Sequence, residues 1–269
     1  MIIDFHTHLG GKSDWYSGTY MLARQFAATN NMDEILDENG ELEAQSYIKY
    51  MDRLGIDYTV AIATPDNVNF VTRECTKHSR LLPFYTVNPV WSKDPGQEAE
   101  TALTELGYKG IKMYPTYHLY YPNDPRAYKV YEKAQELGVP VLFHEGSSVF
   151  PGTRMKYGEP VYFDDVAVDF PELKVVLAHS GRGFWYDAVF FLTKLHRNMY
   201  MEISGLPVKK LLHLFPDFEK NGDKIIFGSD WPASPGPEAM MKDMNDLPIS
   251  KEVRDKIMGI NAARILGIG

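Results

Sequence analysis

The sequence predicts an α/β fold, a single closed (β/α)8 barrel of the TIM-barrel kind spanning residues 1–269. Three observations predict it. Eight short apolar segments each give way to helical periodicity, and such alternation makes a parallel sheet covered by helices. A length of 269 residues suits eight of these units better as a closed barrel than as an open doubly wound sheet. No Gly-x-Gly-x-x-Gly follows the first strand, which removes a dinucleotide-binding reading.

The elements follow in order. Ile2, Ile3 and Phe5 mark a buried first strand running to His8. A polar and aromatic stretch, 10–40, comes next, and loops of that length are usually functional or disordered. Within it Trp15, Tyr16 and Tyr20 suit a wall over a pocket, and 21–28 suits a short helix. From Glu43, the spacing of Tyr47, Ile48, Met51 and Leu54 predicts a helix that Gly55 stops. Residues 58–64 are β-branched and closed by Pro65, a strand. The alternation repeats through strands at 82–87, 109–114, 140–144, 173–179, 199–204 and 224–229. The intervening helices fall at 68–77, 96–106, 125–137, 161–169, 184–196 and 208–218, and the closing helices at 251–266.

Composition narrows the function. The chain is 44% hydrophobic and 24% charged, as a soluble globular protein is. Its net charge of -8 and pI near 5.5 argue against a nucleic-acid partner. The single cysteine, Cys75, forms no internal disulfide and reads as an ordinary thiol on a helix. No apolar run approaches the roughly 20 residues of a membrane helix. Asp4, His6 and His8 interrupt the start where a secretory signal needs apolar residues. A cytoplasmic protein without a membrane partner is expected.

The chemistry collects at strand ends. His6 and His8 are two apart on a strand, so both imidazoles leave one face, half of a zinc-type site. In a barrel the reacting groups come from the carboxyl ends of different strands. Those ends carry His6, His8, Lys112, His144 and His179, with Asp230 just after the last strand, while His78, His118, His196 and His213 are scattered. Each has a plainer reading: a core or rim histidine, a turn-capping aspartate, a solvated lysine. A barrel brings all six to one face, and together they read as a metal site.

The motifs Asp-Phe-His-Thr-His at the start, Gly110-Ile111-Lys112, Phe143-His144, Ala178-His179-Ser180-Gly181 and Gly228-Ser229-Asp230-Trp231-Pro232 resemble the amidohydrolase superfamily. With the closing Asn261-Ala262-Ala263-Arg264-Ile265-Leu266-Gly267, they are most similar to its amidohydrolase-related branch, which includes aminocarboxymuconate-semialdehyde decarboxylase and related decarboxylases and lactonases. The resemblance implies a metallo-dependent hydrolase barrel with one divalent metal ion, zinc first, with manganese or iron as alternatives. Its ligands would be His6, His8, His144 and Asp230. His179 would act as acid/base beside the activated water, and Asp230 would also accept a proton. In binuclear members the strand-four lysine is carboxylated and bridges two metals. In this branch it is usually no ligand, which leaves Lys112 to hold a substrate oxygen.

Arg182 is the best candidate for gripping a substrate carboxylate with its two-pronged guanidinium, ahead of Arg154 and Lys156. Tyr114 opens an aromatic loop with Tyr117, His118, Tyr120 and Tyr121, suggesting a flat or partly apolar small-molecule substrate. The first expectation is hydrolysis of an amide, ester or lactone bond in a small organic acid. The alternative is non-oxidative decarboxylation of an aromatic or unsaturated carboxylic acid. A non-catalytic barrel is discouraged because every site position carries a chemically competent residue. Phe184, Trp185, Tyr186, Phe190 and Phe191 make one helix apolar on more than one face, which suggests a homodimer.

Overall fold

A computed structural model describes residues 1–233 and 235–269. The β-branched and aliphatic runs form eight parallel strands: β1 (Ile3–Thr7), β2 (Tyr58–Ala63), β3 (Leu81–Thr86), β4 (Gly110–Met113), β5 (Pro140–His144), β6 (Lys174–Ala178), β7 (Met199–Glu202) and β8 (Ile225–Ile226). They pair in chain order, β1 through β8. Backbone bonds across the seam nearly close the barrel. Phe5 N–H donates to Phe227 O at 3.0 Å, Asp230 N–H to His6 O at 2.7 Å, and His8 N–H to Trp231 O at 2.7 Å.

Strand alternation divides the core in two. Phe5, Val60, Ile62, Phe84, Leu142 and Val176 cluster with Ile226 inside the barrel, together with Ile265 of the closing helix. Their alternates Ile111, Phe143, Leu177 and Met201 face outward and pack with helix residues such as Val130, Phe163 and Val189. This sheet-and-shell arrangement holds the carboxyl ends of the strands as a rigid rim.

Several expected elements differ in extent. The last strand was expected over 224–229, but the ladder holds only Ile225–Ile226. Beyond it Phe227 accepts from β1 and donates to Ile257 O instead. The helix expected over 208–218 breaks into a 3-10 turn, Val208–Lys210, and a short helix, Leu211–Leu214. Pro216 explains the stop, since the residue before a proline is pushed out of helical conformation, and Phe215 is extended. The closing segment divides into Lys251–Asp255, a π-helical turn Lys256–Ile260, and Asn261–Leu266. A helix at Gly236–Asp246 is additional to the expected set. The long loop after β1 carries three short helices, Ser17–Gln25, Ala27–Asn30 and Met32–Ile35.

Among the described residues, no helix is long and apolar enough to cross a membrane.

Candidate active site

The expected residues converge on the carboxyl-terminal rim. His6 leaves β1, Lys112 lies on β4, His144 ends β5, His179 follows β6 and Asp230 follows β8. Register brings the far ends together: Thr86 stands beside Lys112, His144 beside Ala178, and Ala178 beside Glu202. The side chains of His6, His144, His179 and Lys112 are buried. The three histidines line a cavity of about 680 Å³, within the range of small-molecule sites, whereas Lys112 lies outside its lining. His6, His8, His144, His179, Arg182 and Asp230 all line it.

His179 and Asp230 share an unusual backbone. Their φ angles are 68° and 59°, both left-handed, and Ser180 between His179 and Gly181 has φ 39°. Histidine and aspartate tolerate that region better than most residues, at a cost on the order of 1 kcal/mol or more. Such conformations turn the side chains off the strand direction and into the rim.

The oxygen and nitrogen atoms meet tightly. His6 Nε2 lies 3.2 Å and His8 Nε2 3.3 Å from the same Asp230 oxygen, Oδ1. Ligand atoms of His6, His8 and Asp230 lie within 4.8 Å of one another. His144 is not in that group. Its ring stacks edge-on against His179, centroids 4.6 Å apart, and among the described residues its buried Nε2 has no hydrogen-bond partner.

A second layer orients the first. His6 Nδ1 donates to Glu202 Oε2 at 3.0 Å, and Ser204 Oγ donates to the same oxygen at 2.7 Å. His179 Nδ1 donates to the Ser204 carbonyl at 3.1 Å. A proton fixed on each Nδ1 leaves each Nε2 as a lone pair, the form that binds metals or accepts protons. Gly228 makes room for this: a Cβ there would meet Glu202 Oε1, and His6 Cβ at 2.9 Å.

Electrostatics push the same way. Burial, then the charge of Lys112, holds His6 well below the usual imidazole value. Burial, then Lys112 and Arg182, does the same to His144, and burial, then Arg182, to His179. All three are therefore neutral near pH 7. Burial alone would raise the Asp230 carboxyl, yet the positive surroundings of His6, His8 and Arg182 keep it below the ordinary range. Since His6 is itself neutral at pH 7, the His8 hydrogen bond and the permanent charge of Arg182 must carry that effect there. A neutral His6 Nε2 facing a carboxylate oxygen at 3.2 Å sets acceptor against acceptor. A cation between them resolves the conflict, and with the orphaned His144 Nε2 this donor set fits a divalent ion bound through nitrogen and oxygen.

Lys112 is fully buried, and its Nζ has no hydrogen-bond partner among the described residues. It lies 5.0 Å from the Tyr114 ring centroid. Burial drives Lys112 down to about 7 and Glu202 up to about 8, and each charged form favours the other.

Arg182 is half-buried in the cavity wall. Its Nη2 donates to Ser147 O at 2.6 Å, and no ion pair engages it among the described residues. Gly205 gives it space, since a Cβ there would meet Arg182 Nη1. Tyr114, Tyr117 and His118 line the cavity, whereas Tyr120 is buried in the outer core and Tyr121 packs on Tyr157 and Tyr162. Trp15 and Tyr16 line it as well, but Tyr20 abuts Gly40 instead. Arg154 and Lys156 are exposed and lie outside the lining.

Three buried carboxyls were not anticipated. Glu202 ends β7 as the only charge in an otherwise apolar strand, a signal of the kind that singled out His144. Glu145 follows His144 and accepts from Gly181 N–H, and burial pushes its carboxyl up to about 8. Asp4 accepts from Ser229 N–H at 2.8 Å and Ser229 Oγ at 2.6 Å, tying β1 to the segment that carries Asp230.

A barrel whose strand ends gather four imidazoles, an aspartate and a lysine over a deep cavity is an enzyme's architecture, with a candidate metal centre. The chain belongs to the amidohydrolase family, whose pattern it matches over residues 3–268. It is similar to an uncharacterised TIM-barrel protein from Bordetella bronchiseptica, with 21% identity, 99% of this chain and 98% of that one covered, and TM-score 0.72. It is also similar to a dihydroxybenzoic acid decarboxylase from a Polaromonas species, solved with manganese and 2-nitroresorcinol, at 17% identity, 99% and 96% coverage and TM-score 0.69. A probable 2-pyrone-4,6-dicarboxylic acid hydrolase from Acinetobacter baumannii, solved with citric acid, matches at 17% identity, 99% coverage of both chains and TM-score 0.69. At these identities the likeness speaks for the fold.

Proposed function

We propose that this amidohydrolase hydrolyses an amide, ester or lactone bond of a small organic acid, using one divalent metal ion held by His6, His8, His144 and Asp230. The observation that carries the reading is the convergence of His6 Nε2 and His8 Nε2 on Asp230 Oδ1. Zinc is the first choice for a set of three imidazoles and one carboxylate, with manganese or iron next. Bound there, the ion would act as Lewis acid and lower the pKa of a water towards neutrality.

The protein's own residues do the rest. The neutral His179 Nε2 takes the water's proton and returns that same proton to the leaving group, with Asp230 Oδ2 as the alternative acceptor that passes it to His179. Arg182, free of an acidic partner among the described residues, binds the substrate carboxylate through two parallel N–H bonds. Lys112, with its unpartnered Nζ, takes a substrate oxygen. Tyr114 and Tyr117 supply a flat apolar wall.

Decarboxylation of an aromatic or unsaturated acid is the second reading. Arg182 beside the histidine cluster favours it, because the same grip would place a carboxylate over the reacting centre. The two separate in one experiment with a turned-over acid in 18O-labelled water. Hydrolysis puts label into the product carboxylate, whereas decarboxylation releases carbon dioxide and leaves the organic product unlabelled.

We also propose a homodimer through the helix Tyr186–Leu195 and the turn before it, where Phe191 and Leu195 of the helix are 63% and 58% exposed and Phe184 of the turn is 75% exposed. Light scattering that finds a monomer at micromolar concentration removes it.

A further inference from the structure

The cavity is larger than the chemistry at its base requires. At about 30 Å³ per water-sized group, 680 Å³ takes on the order of 20 such groups, about twice the heavy atoms of a one-ring carboxylic acid. Its outer part is built from apolar side chains of two loops. Leu22 and Phe26 come from the helical segment after β1, and Val149 and Phe150 from the loop after β5. Leu22, Phe26 and Val149 are 37%, 43% and 74% exposed, although each faces the cavity. Exposed apolar groups around a concave site lose water only when something apolar fills it.

The apolar lining is continuous with the chemistry. The Tyr16 ring lies 5.7 Å from Phe150, Phe150 6.1 Å from Tyr117, and Tyr117 4.9 Å from His144. Most of the charge gathers at the base, with Arg182 and Asp230 beside the histidines. Among the described residues, Asp66 is the one other carboxylate in the lining, at the exposed rim. The rim segment is also firmly held. Asn30 Nδ2 donates to Ala23 O at 3.1 Å and to Pro232 O, and Trp231 Nε1 donates to Asn30 O at 2.8 Å. The apolar wall is thus fixed to the loop that carries Asp230.

We infer that the substrate is amphipathic: its polar, reacting end sits at the histidine–aspartate base, and an uncharged apolar group of several carbons extends between Leu22–Phe26 and Val149–Phe150. This rests on the cavity being the substrate site, and it adds the chemical class that a small polar acid would not satisfy.

The test is binding to the metal-loaded protein by calorimetry, with two probe series. One is benzoate lengthened at the para position by methyl, ethyl, propyl and butyl, and the other the matching benzyl alcohols. Each added carbon is expected to tighten binding about fourfold, so butyl should gain about 250-fold over the parent. In the Leu22→Ser/Phe26→Ser double variant, whose changes lie on exposed positions, the gain should collapse while benzoate itself binds as before. Affinity that stays flat along both series, or a gain that survives in the double variant, overturns the inference. Alcohols that tighten with length while the acids fail to bind would leave it standing and remove the carboxylate reading instead.

Discussion

His6 Nδ1 lies 3.0 Å from Glu202 Oε2, with both side chains buried at the centre of the barrel mouth. This contact decides which nitrogen of His6 faces Asp230. Glu202→Gln replaces the carboxyl acceptor facing Nδ1 by an amide whose NH2 can turn towards Nδ1 instead. It is expected to weaken metal binding by about 10- to 100-fold. Zinc titration against a chelating indicator measures this, and an unchanged affinity would show that His6 is oriented by Ser204 alone.

His179 has a different task from the ligands, so its loss should look different. His179→Asn is expected to retain metal and lower kcat by about 10²- to 10⁴-fold. His8→Ala should lose metal and activity together. Metal analysis beside turnover on each purified variant separates the two patterns, and full activity in His179→Asn would remove its assigned role.

Asp4 holds the seam rather than the chemistry. Asp4→Ala leaves Ser229 N–H and Oγ without their acceptor in a buried setting, at a cost of about 1–3 kcal/mol. Urea unfolding should show a lower midpoint at unchanged slope. Wild-type stability in this variant would mean that the backbone bonds of β1 to 227–231 suffice.

His118 gives a pH dependence with a clear sign. Burial lowers its imidazole from 6.5 to about 4, and among the described residues its buried Nδ1 has no partner. The folded state thus keeps His118 neutral where the unfolded chain takes up a proton. Its contribution to stability is complete above pH 6.5 and is lost as pH falls from 6.5 towards 4, on the order of 3 kcal/mol. Replacing it by phenylalanine should flatten the unfolding free energy over that window. An unaltered acid slope would contradict the shift.

Much of this was legible in the chain because barrel geometry converts strand ends into one surface. His144 and His179 could be found from an apolar run and its last residue, and both line the cavity. Glu202 obeys the same rule, yet an acid ending a strand reads as a solvated rim charge unless its partner is known. That partner, His6, is 196 residues away. The helix Gly236–Asp246 was hidden by Pro235-Gly236-Pro237, which reads as a turn although proline is well tolerated in a first helical turn. The short helices after β1 lack a sustained apolar period. Long-range contacts hold them, such as Arg53 Nε to Glu34 Oε1 at 2.9 Å and Asn31 Nδ2 to Glu238 Oε2 at 3.1 Å. No local pattern encodes such contacts.

The central claim is that His6, His8, His144 and Asp230 bind one divalent ion, and metal content per chain tests it most directly. Protein purified without chelators is expected to carry about one zinc, manganese or iron, and the Asp230→Asn variant close to none. About two ions per chain would instead make Lys112 a ligand. No bound metal after reconstitution, or unchanged content in the Asp230 variant, would contradict the account.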